Sequence, residues 1–297
     1  MSLIPTFELS TSPGPWASMW AVLRAQRKRP GPVQALNPVR WVRPSVTLDA
    51  QAIAAYTRVC ACPEEQGVPL LYPQMLTFPL VMAYLASADC PWPAMGTVHL
   101  ANHVQQHAPL HAGDDLRIEL HSGQLQAHDK GQVFTLDFQV FKQDQLVWTA
   151  TQTLLRLGVS QAAGTPYESA VEATQALSLQ TMWNVGSNIG RRYGRVSGDM
   201  NPIHLSTLSA KLLGFRRAIA HGMWTQARAL SAMLPRQALA QAEVLTEFKT
   251  PLFLPARASL WSAPMGHEAL RPSALFEVRN ARGDKPHLRA RLSYQVK

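Results

Sequence analysis

The chain has 297 residues, 46% of them hydrophobic and 16% charged, with a formal net charge of +9 at pH 7. A charged fraction well below the usual ~25% implies that much of the chain is buried, enough for two ordinary domains or one large one. No stretch of eighteen apolar residues occurs, which excludes a membrane-spanning helix, and the three cysteines cannot close a disulfide set.

Cys60-Ala-Cys62 has no second cysteine pair or nearby histidine to complete a zinc site, and Cys90 stands apart. Reduced thiols and a cytoplasmic location are therefore expected, and the opening Met-Ser-Leu-Ile-Pro-Thr-Phe-Glu lacks the basic and apolar stretches of a signal peptide. The segment Trp16–Arg29 is apolar first and basic later, through Arg24, Arg27, Lys28 and Arg29. It reads as packing on its own domain with its charges in water; the alternative is contact with an anionic membrane, without stable insertion.

In chain order, Val46–Tyr56 predicts a short helix behind an Asp N-cap. Thr77–Ala86 predicts a second, with Thr77 or Phe78 near the cap and Pro79 in its first turn. Extended runs follow at 97–107, 116–126, 133–142 and 146–157, and Phe134-Thr-Leu-Asp-Phe-Gln-Val-Phe141 alternates as a strand with one buried face does. Residues 158–180, rich in Ala, Ser, Thr and Gln, read as a linker. The plan then repeats: a helix over Ile219–Leu234, with Met223, Ala227, Leu230 and Leu234 on one stripe, precedes extended runs at 244–253, 257–262, 273–281 and 288–296. His107-Ala-Pro-Leu-His-Ala-Gly113 aligns with Lys249-Thr-Pro-Leu-Phe-Leu-Pro255, a duplication of plan rather than of identity.

Charge is shared unevenly. Residues 1–157 hold eleven basic and eleven acidic side chains, residues 158–297 seventeen and eight. Arg191, Arg192, Arg195, Arg216 and Arg217 cluster in the second half. Such a face suits a phosphate-bearing or acidic carrier, or is simply solvated; no recognition fold or aromatic–basic alternation points to nucleic acid.

Chemistry concentrates in Tyr193-Gly-Arg-Val-Ser-Gly-Asp199-Met-Asn201-Pro202-Ile-His204 and in Ala220-His221-Gly222-Met223. An acid and an imidazole five residues apart around an Asn-Pro turn can hold one water between them. A glycine at a helix start offers backbone N–H groups to an oxyanion. Asp199 and His204 are the expected catalytic pair and Gly222 the expected oxyanion donor. The bland alternative is that Asp199 makes an Asx turn, His204 caps a helix and Gly222 serves packing alone.

Together these segments resemble the MaoC-like, or hydratase 2, family of (R)-specific enoyl-thioester hydratases and dehydratases, whose motifs are Y-x-x-x-S-G-D-x-N-P-[IL]-H and H-G-M. The resemblance implies an α+β double hot dog: two antiparallel sheets, each wrapped around a central helix. It implies a non-catalytic first domain (1–157), a linker (158–180) and a catalytic second domain (181–297). The first half carries Tyr72-Pro-Gln-Met-Leu-Thr-Phe-Pro-Leu80, similar to a run in two-domain 3-hydroxyacyl-thioester dehydratases, and has no G-D-x-N-P-x-H.

The activity so implied is reversible hydration of trans-2-enoyl thioesters, carried on coenzyme A or acyl carrier protein, to (R)-3-hydroxyacyl thioesters in fatty-acid metabolism. No cofactor and no metal are expected. Asn201 would orient the catalytic side chains or only shape the turn. Ser197 would support the catalytic turn or, with Gly198, only end a helical turn. Tyr193, His221 and Met223 would line the substrate pocket, although core packing is the commoner fate of such a tyrosine. Internal pairing of the halves neither requires nor forbids a homodimer. A hot dog acyl-thioester hydrolase and a non-catalytic acyl-CoA-binding protein are the competing readings.

Overall fold

The computed structural model describes residues 4–11, 31–172, 176–263 and 272–297, and positions 14, 17, 20, 21, 25 and 28. Most of the Trp16–Arg29 segment therefore lies outside the described residues. Within it, Lys28 Nζ donates to the carbonyls of Leu85 and Ser87, at 2.9 and 2.5 Å.

The strands are β1 (Thr6–Glu8), β2 (Arg40–Thr47), β3 (Thr97–Gln106), β4 (Asp115–His128), β5 (Gly131–Lys142), β6 (Gln145–Leu157) and β7 (Thr165–Pro166) in the first part of the chain. Later come β8 (Ser178–Val185), β9 (Leu239–Phe248), β10 (Ala256–Ser262), β11 (Ser273–Asn280) and β12 (Pro286–Val296). They form one sheet in the order β1-β2-β4-β5-β6-β3-β9-β12-β11-β10-β8, with β7 beside β4. Leaving aside the short β1 and β7, the same rule holds either side of the β3–β9 seam: the first strand of the half is outermost, then the third, fourth and fifth, and the second lies innermost. The duplication read from the sequence is thus a duplication of topology. The two expected sheets are continuous, because β3 pairs antiparallel with β9 from Ala101↔Glu247 to Gln106↔Ala242. That pairing leaves neither inner strand with a bare edge.

Local chemistry explains the elements. Gln143 and Asp144, both at positive φ, make the tight turn between β5 and β6. Helix α1 (Ala50–Cys60) is capped by Asp49, whose carboxylate accepts from the Ala52 N–H at 2.8 Å. Helix α2 (Tyr72–Ala86) begins five residues before the expected Thr77, with Pro73 in its first turn, and Pro79 sits inside it. Burial overrides the proline there: Tyr72, Thr77, Leu80, Val81 and Tyr84 all face the core. Helices α3 (Ile189–Ser197), α4 (Pro202–Leu205) and α5 (Thr207–Leu212) carry the motif, and α6 (Gly222–Met233) is the central helix of the second half. It begins three residues later than expected, because Ile219 is bridged to Phe253 instead.

Helix-to-helix contacts also cross between the halves. Trp224 Nε1 donates to the Val59 carbonyl at 3.0 Å, and the Tyr193 hydroxyl lies 3.1 Å from Met75 Sδ. The chain between β6 and β8 is held on the outside of the sheet by Glu247, which accepts from Tyr167, Ser169, the Ala170 N–H and Lys249.

Candidate active site

Three glycines let the motif fold back on itself. A Cβ on Gly190 would collide with the carbonyl oxygen of His204, and one on Gly194 would lie 2.8 Å from that of Asp199. Only hydrogen fits where α3 meets α4. Gly198 ends α3 in the left-handed region, φ 79°, and its N–H bonds the Gly194 carbonyl at 2.9 Å. The chain then turns through Asp199, whose Oδ1 accepts from the Asn201 N–H at 3.1 Å and whose own N–H donates to Ser197 Oγ at 3.2 Å. Asn201 caps α4 by accepting from Ile203 N–H at 3.3 Å, with Pro202 in the first helical position. The Asx turn of the bland reading is therefore present, and it aims the second carboxylate oxygen of Asp199 inward.

His204 is buried, and its Nδ1 donates to the Ile219 carbonyl at 2.9 Å. That bond fixes the tautomer and puts the lone pair on Nε2. His221, also buried, donates Nε2–H to the Asp199 carbonyl at 3.1 Å, and its Nε2 lies 3.7 Å from Asp199 Oδ2. The two imidazoles stack at 3.7 Å. Burial pushes the pKa of His204 down, against the raising effect of Asp199. Burial, reinforced by His204, pushes His221 down to about 3. Both rings are neutral at pH 7, while Asp199 keeps about a third of its side chain in solvent.

One ligand atom each from Asp199, His204 and His221 lies within 4.8 Å of the others. This spacing suits one water held between carboxylate and imidazole. A cation would compete for imidazole nitrogens of which two are already spent on backbone carbonyls, and we assign the cluster no metal.

Gly222 opens α6, where the first N–H groups have no intrahelical partner. A Cβ there would lie 2.9 Å from the Phe248 ring. Tyr193 is buried among Tyr56 and His221 and lies at the back of the site, steadying the His221 ring rather than meeting open space. Ser197 is likewise buried and serves the turn. Met223 Sδ faces the first half, 3.7 Å from Asn102 Nδ2.

One neighbour had no sequence signal. His99, on β3 of the first half, packs its ring on Phe248 at 4.9 Å and has a buried, unpartnered Nε2. Burial pushes its pKa down to about 4, and the field of Asp199 acts on it in the opposite sense. Only the β3–β9 pairing brings it there.

The fold and site define a class: a double hot dog protein with an acid–imidazole pair in its second half. Residues 161–254 match the family described as MaoC like domain. The chain is 32% identical over 216 residues to 3-hydroxyacyl-thioester dehydratase X of Mycobacterium tuberculosis, covering 73% of this chain and 77% of that protein. A crystal structure of HtdX from the same organism superposes with a TM-score of 0.70 at 29% identity, over 85% of this chain and 98% of that one. A MaoC-like dehydratase from Phytophthora capsici shares the fold, with a TM-score of 0.71 at 15% identity over 93% of this chain and 99% of that one. The chain belongs to the MaoC-like dehydratase family.

Proposed function

We propose that this chain interconverts trans-2-enoyl and (R)-3-hydroxyacyl thioesters as a hydro-lyase of fatty-acid metabolism. The observation that carries this reading is the convergence of Asp199, His204 and His221 within 4.8 Å, beside the N-terminus of α6. In hydration, a water between the Asp199 carboxylate and His204 Nε2 loses a proton to one of them as its oxygen bonds to C3. A proton is delivered to C2 from the same face, so addition is syn. Charge that develops on the thioester oxygen is met by the Gly222 N–H, where donors in a water-poor site are most effective. Dehydration is the reverse path.

The second half, 181–297, holds this chemistry, and the first, 1–157, shapes the acyl pocket across the seam, with 158–180 as the connection. The carrier is coenzyme A or acyl carrier protein; six cations and one acid between Gly186 and Gly222 favour a phosphate-rich or acidic partner. The three cysteines are all free, and among the described residues no helix is long and apolar enough to cross a membrane; a cytoplasmic location accords with both.

The test follows loss of enoyl absorbance with crotonyl-CoA and a medium-chain enoyl-CoA, then repeats it with acyl carrier protein thioesters. Turnover to the (R)-3-hydroxy product is expected, falling about 10²–10⁴-fold in Asp199→Asn and His204→Gln. Release of free thiol, or unchanged rates in both variants, refutes the reading.

A further inference from the structure

Beneath the first turn of α6 the seam is polar where a fatty-acyl tunnel would be apolar. Asn102 on β3 and Thr246 on β9 are direct partners across the seam, so their side chains share a face. Gln226 stands one turn into α6 from Gly222, about 6 Å along the helix axis. All three residues are fully buried. Asn102 Nδ2 donates to Gln226 Oε1 at 3.3 Å. That bond and the contact of Asn102 Nδ2 with Met223 Sδ leave Asn102 Oδ1, Gln226 Nε2 and Thr246 Oγ1 buried without partners among the described residues, and His99 Nε2 is in the same condition. The next same-face pair along the seam, Val104 and Val244, is apolar on both strands and equally buried. Polarity is thus confined to the stretch under the catalytic end of the helix.

Buried donors and acceptors without partners are costly, and a set of them around one point is what a bound polar group would satisfy. The cluster offers donor hydrogens from the Gln226 amide, an acceptor in the Asn102 carbonyl, and a Thr246 hydroxyl able to act either way. It lies one helical turn beyond the N–H assigned to the thioester oxygen, at the reach of an acyl chain past C3.

We propose that Asn102, Gln226 and Thr246 form a specificity subsite for a second oxygen, hydroxyl or keto, on the acyl chain beyond C3. The subsite rests on the hydro-lyase reading above, since that reading places C1 at Gly222. A plain alkyl chain would bury these groups still unpaired, whereas an oxygenated chain would pair them. Sites built to hydrogen-bond a substrate oxygen discriminate strongly against the analogue that lacks it. The favoured substrates are then partly reduced chains that keep an oxygen from an earlier condensation. The reaction supplying them is a reduction of a 3-ketoacyl thioester whose chain already carries oxygen.

The experiment compares kcat/KM of the full chain for (R)-3-hydroxyhexanoyl-CoA and for the same chain with a 5-hydroxyl, followed by enoyl absorbance. The 5-hydroxylated chain is expected to be preferred by about 10- to 100-fold. Gln226→Leu should bring the ratio to one or invert it, and Thr246→Val, a smaller change in shape, should reduce it several-fold. The ratio cancels any loss of folded enzyme, and either variant alone suffices. Crotonyl-CoA, whose chain stops short of the subsite, separates two failures in the unsubstituted protein. Silence with the crotonyl thioester of both coenzyme A and acyl carrier protein overturns the hydro-lyase reading and the subsite with it; where only the acyl carrier protein thioester turns over, the two six-carbon chains are compared on that carrier. Crotonyl turnover with equal rates on the two six-carbon chains, or preference for the plain one, overturns the subsite alone.

Discussion

The rings of His204 and His221 stack at 3.7 Å with their planes 26° apart, and each spends one nitrogen on a backbone carbonyl. Two imidazoles so close cannot both carry charge cheaply in a buried site. Burial keeps His204 neutral, the neighbouring His204 ring helps to hold His221 so, and a neutral His204 is the form that can accept a proton from water.

The acid limb of kcat/KM should therefore lie below pH 6.5, the ordinary histidine value, because the pKa of His204 is lowered by burial. The same shifts govern stability. His221 titrates near 3 and His99 near 4 when folded, while the unfolded chain takes up these protons near 6.5. Between those values the unfolded state binds more protons, so stability is full above about pH 6.5 and falls as the pH drops toward 4 and 3. Melting temperatures from pH 7.5 to 4 measure this; a flat profile across pH 6.5–4 would contradict the buried neutral imidazoles.

Gly190→Ala tests the contact between α3 and α4. Its new methyl would land on the His204 carbonyl, and backbone cannot rotate aside as a side chain can. A loss of about 2–4 kcal/mol in denaturant melts is expected. The fraction that still folds should lose activity as well, since His204 moves with its carbonyl. Wild-type stability in this variant would show that the two helices do not meet as described.

Gly222→Ala separates packing from oxyanion stabilisation. The methyl meets the Phe248 ring at 2.9 Å, and that ring already packs on His99. The start of α6 should tilt and its N–H lose aim, lowering kcat by about tenfold or more with a smaller change in KM. If KM rises while kcat stays constant, Gly222 serves packing and binding, not the transition state.

Much of this was legible in the sequence because it is local. Asp49 as an N-cap, the alternation of β5 and the Gly198 stop after α3 each depend on a few neighbouring residues. The outer strands were not legible. β2 contains Pro44 and is only partly buried, and β8 is half exposed, so neither shows an apolar alternation. The site divides the same way. Asp199 and His204 are set by a short turn and can be read from spacing, whereas His99, Asn102 and Thr246 come together only through the pairing of two strands about 140 residues apart. Periodicity in one strand carries no information about which strand lies beside it.

Glu247 offers a test of how the halves are tied. It is buried, and burial would raise its carboxyl. Hydrogen bonds from Lys249, Ser169 and the Ala170 N–H outweigh that and hold its pKa below the ordinary glutamate value. Its contribution is thus full above about pH 4.5 and is lost as the pH falls through the lower folded value. Glu247→Ala would leave these donors and Tyr167 without an acceptor, at a cost of about 3 kcal/mol. The segment between β6 and β8 contains no lysine or arginine, so trypsin cannot report on it, but chymotrypsin can cut at Tyr167. Glu247→Ala should be nicked there many times faster than the unsubstituted chain, while Arg236→Ala, which removes only the solvent-exposed pair with Glu65, should be nicked at the unsubstituted rate. Equal nicking of Glu247→Ala and the unsubstituted chain would mean that the connection is held by its other contacts, β7 on β4 and the side chains of Gln132, Arg289 and Arg291, and that Glu247 pairs with Lys249 without tying anything down.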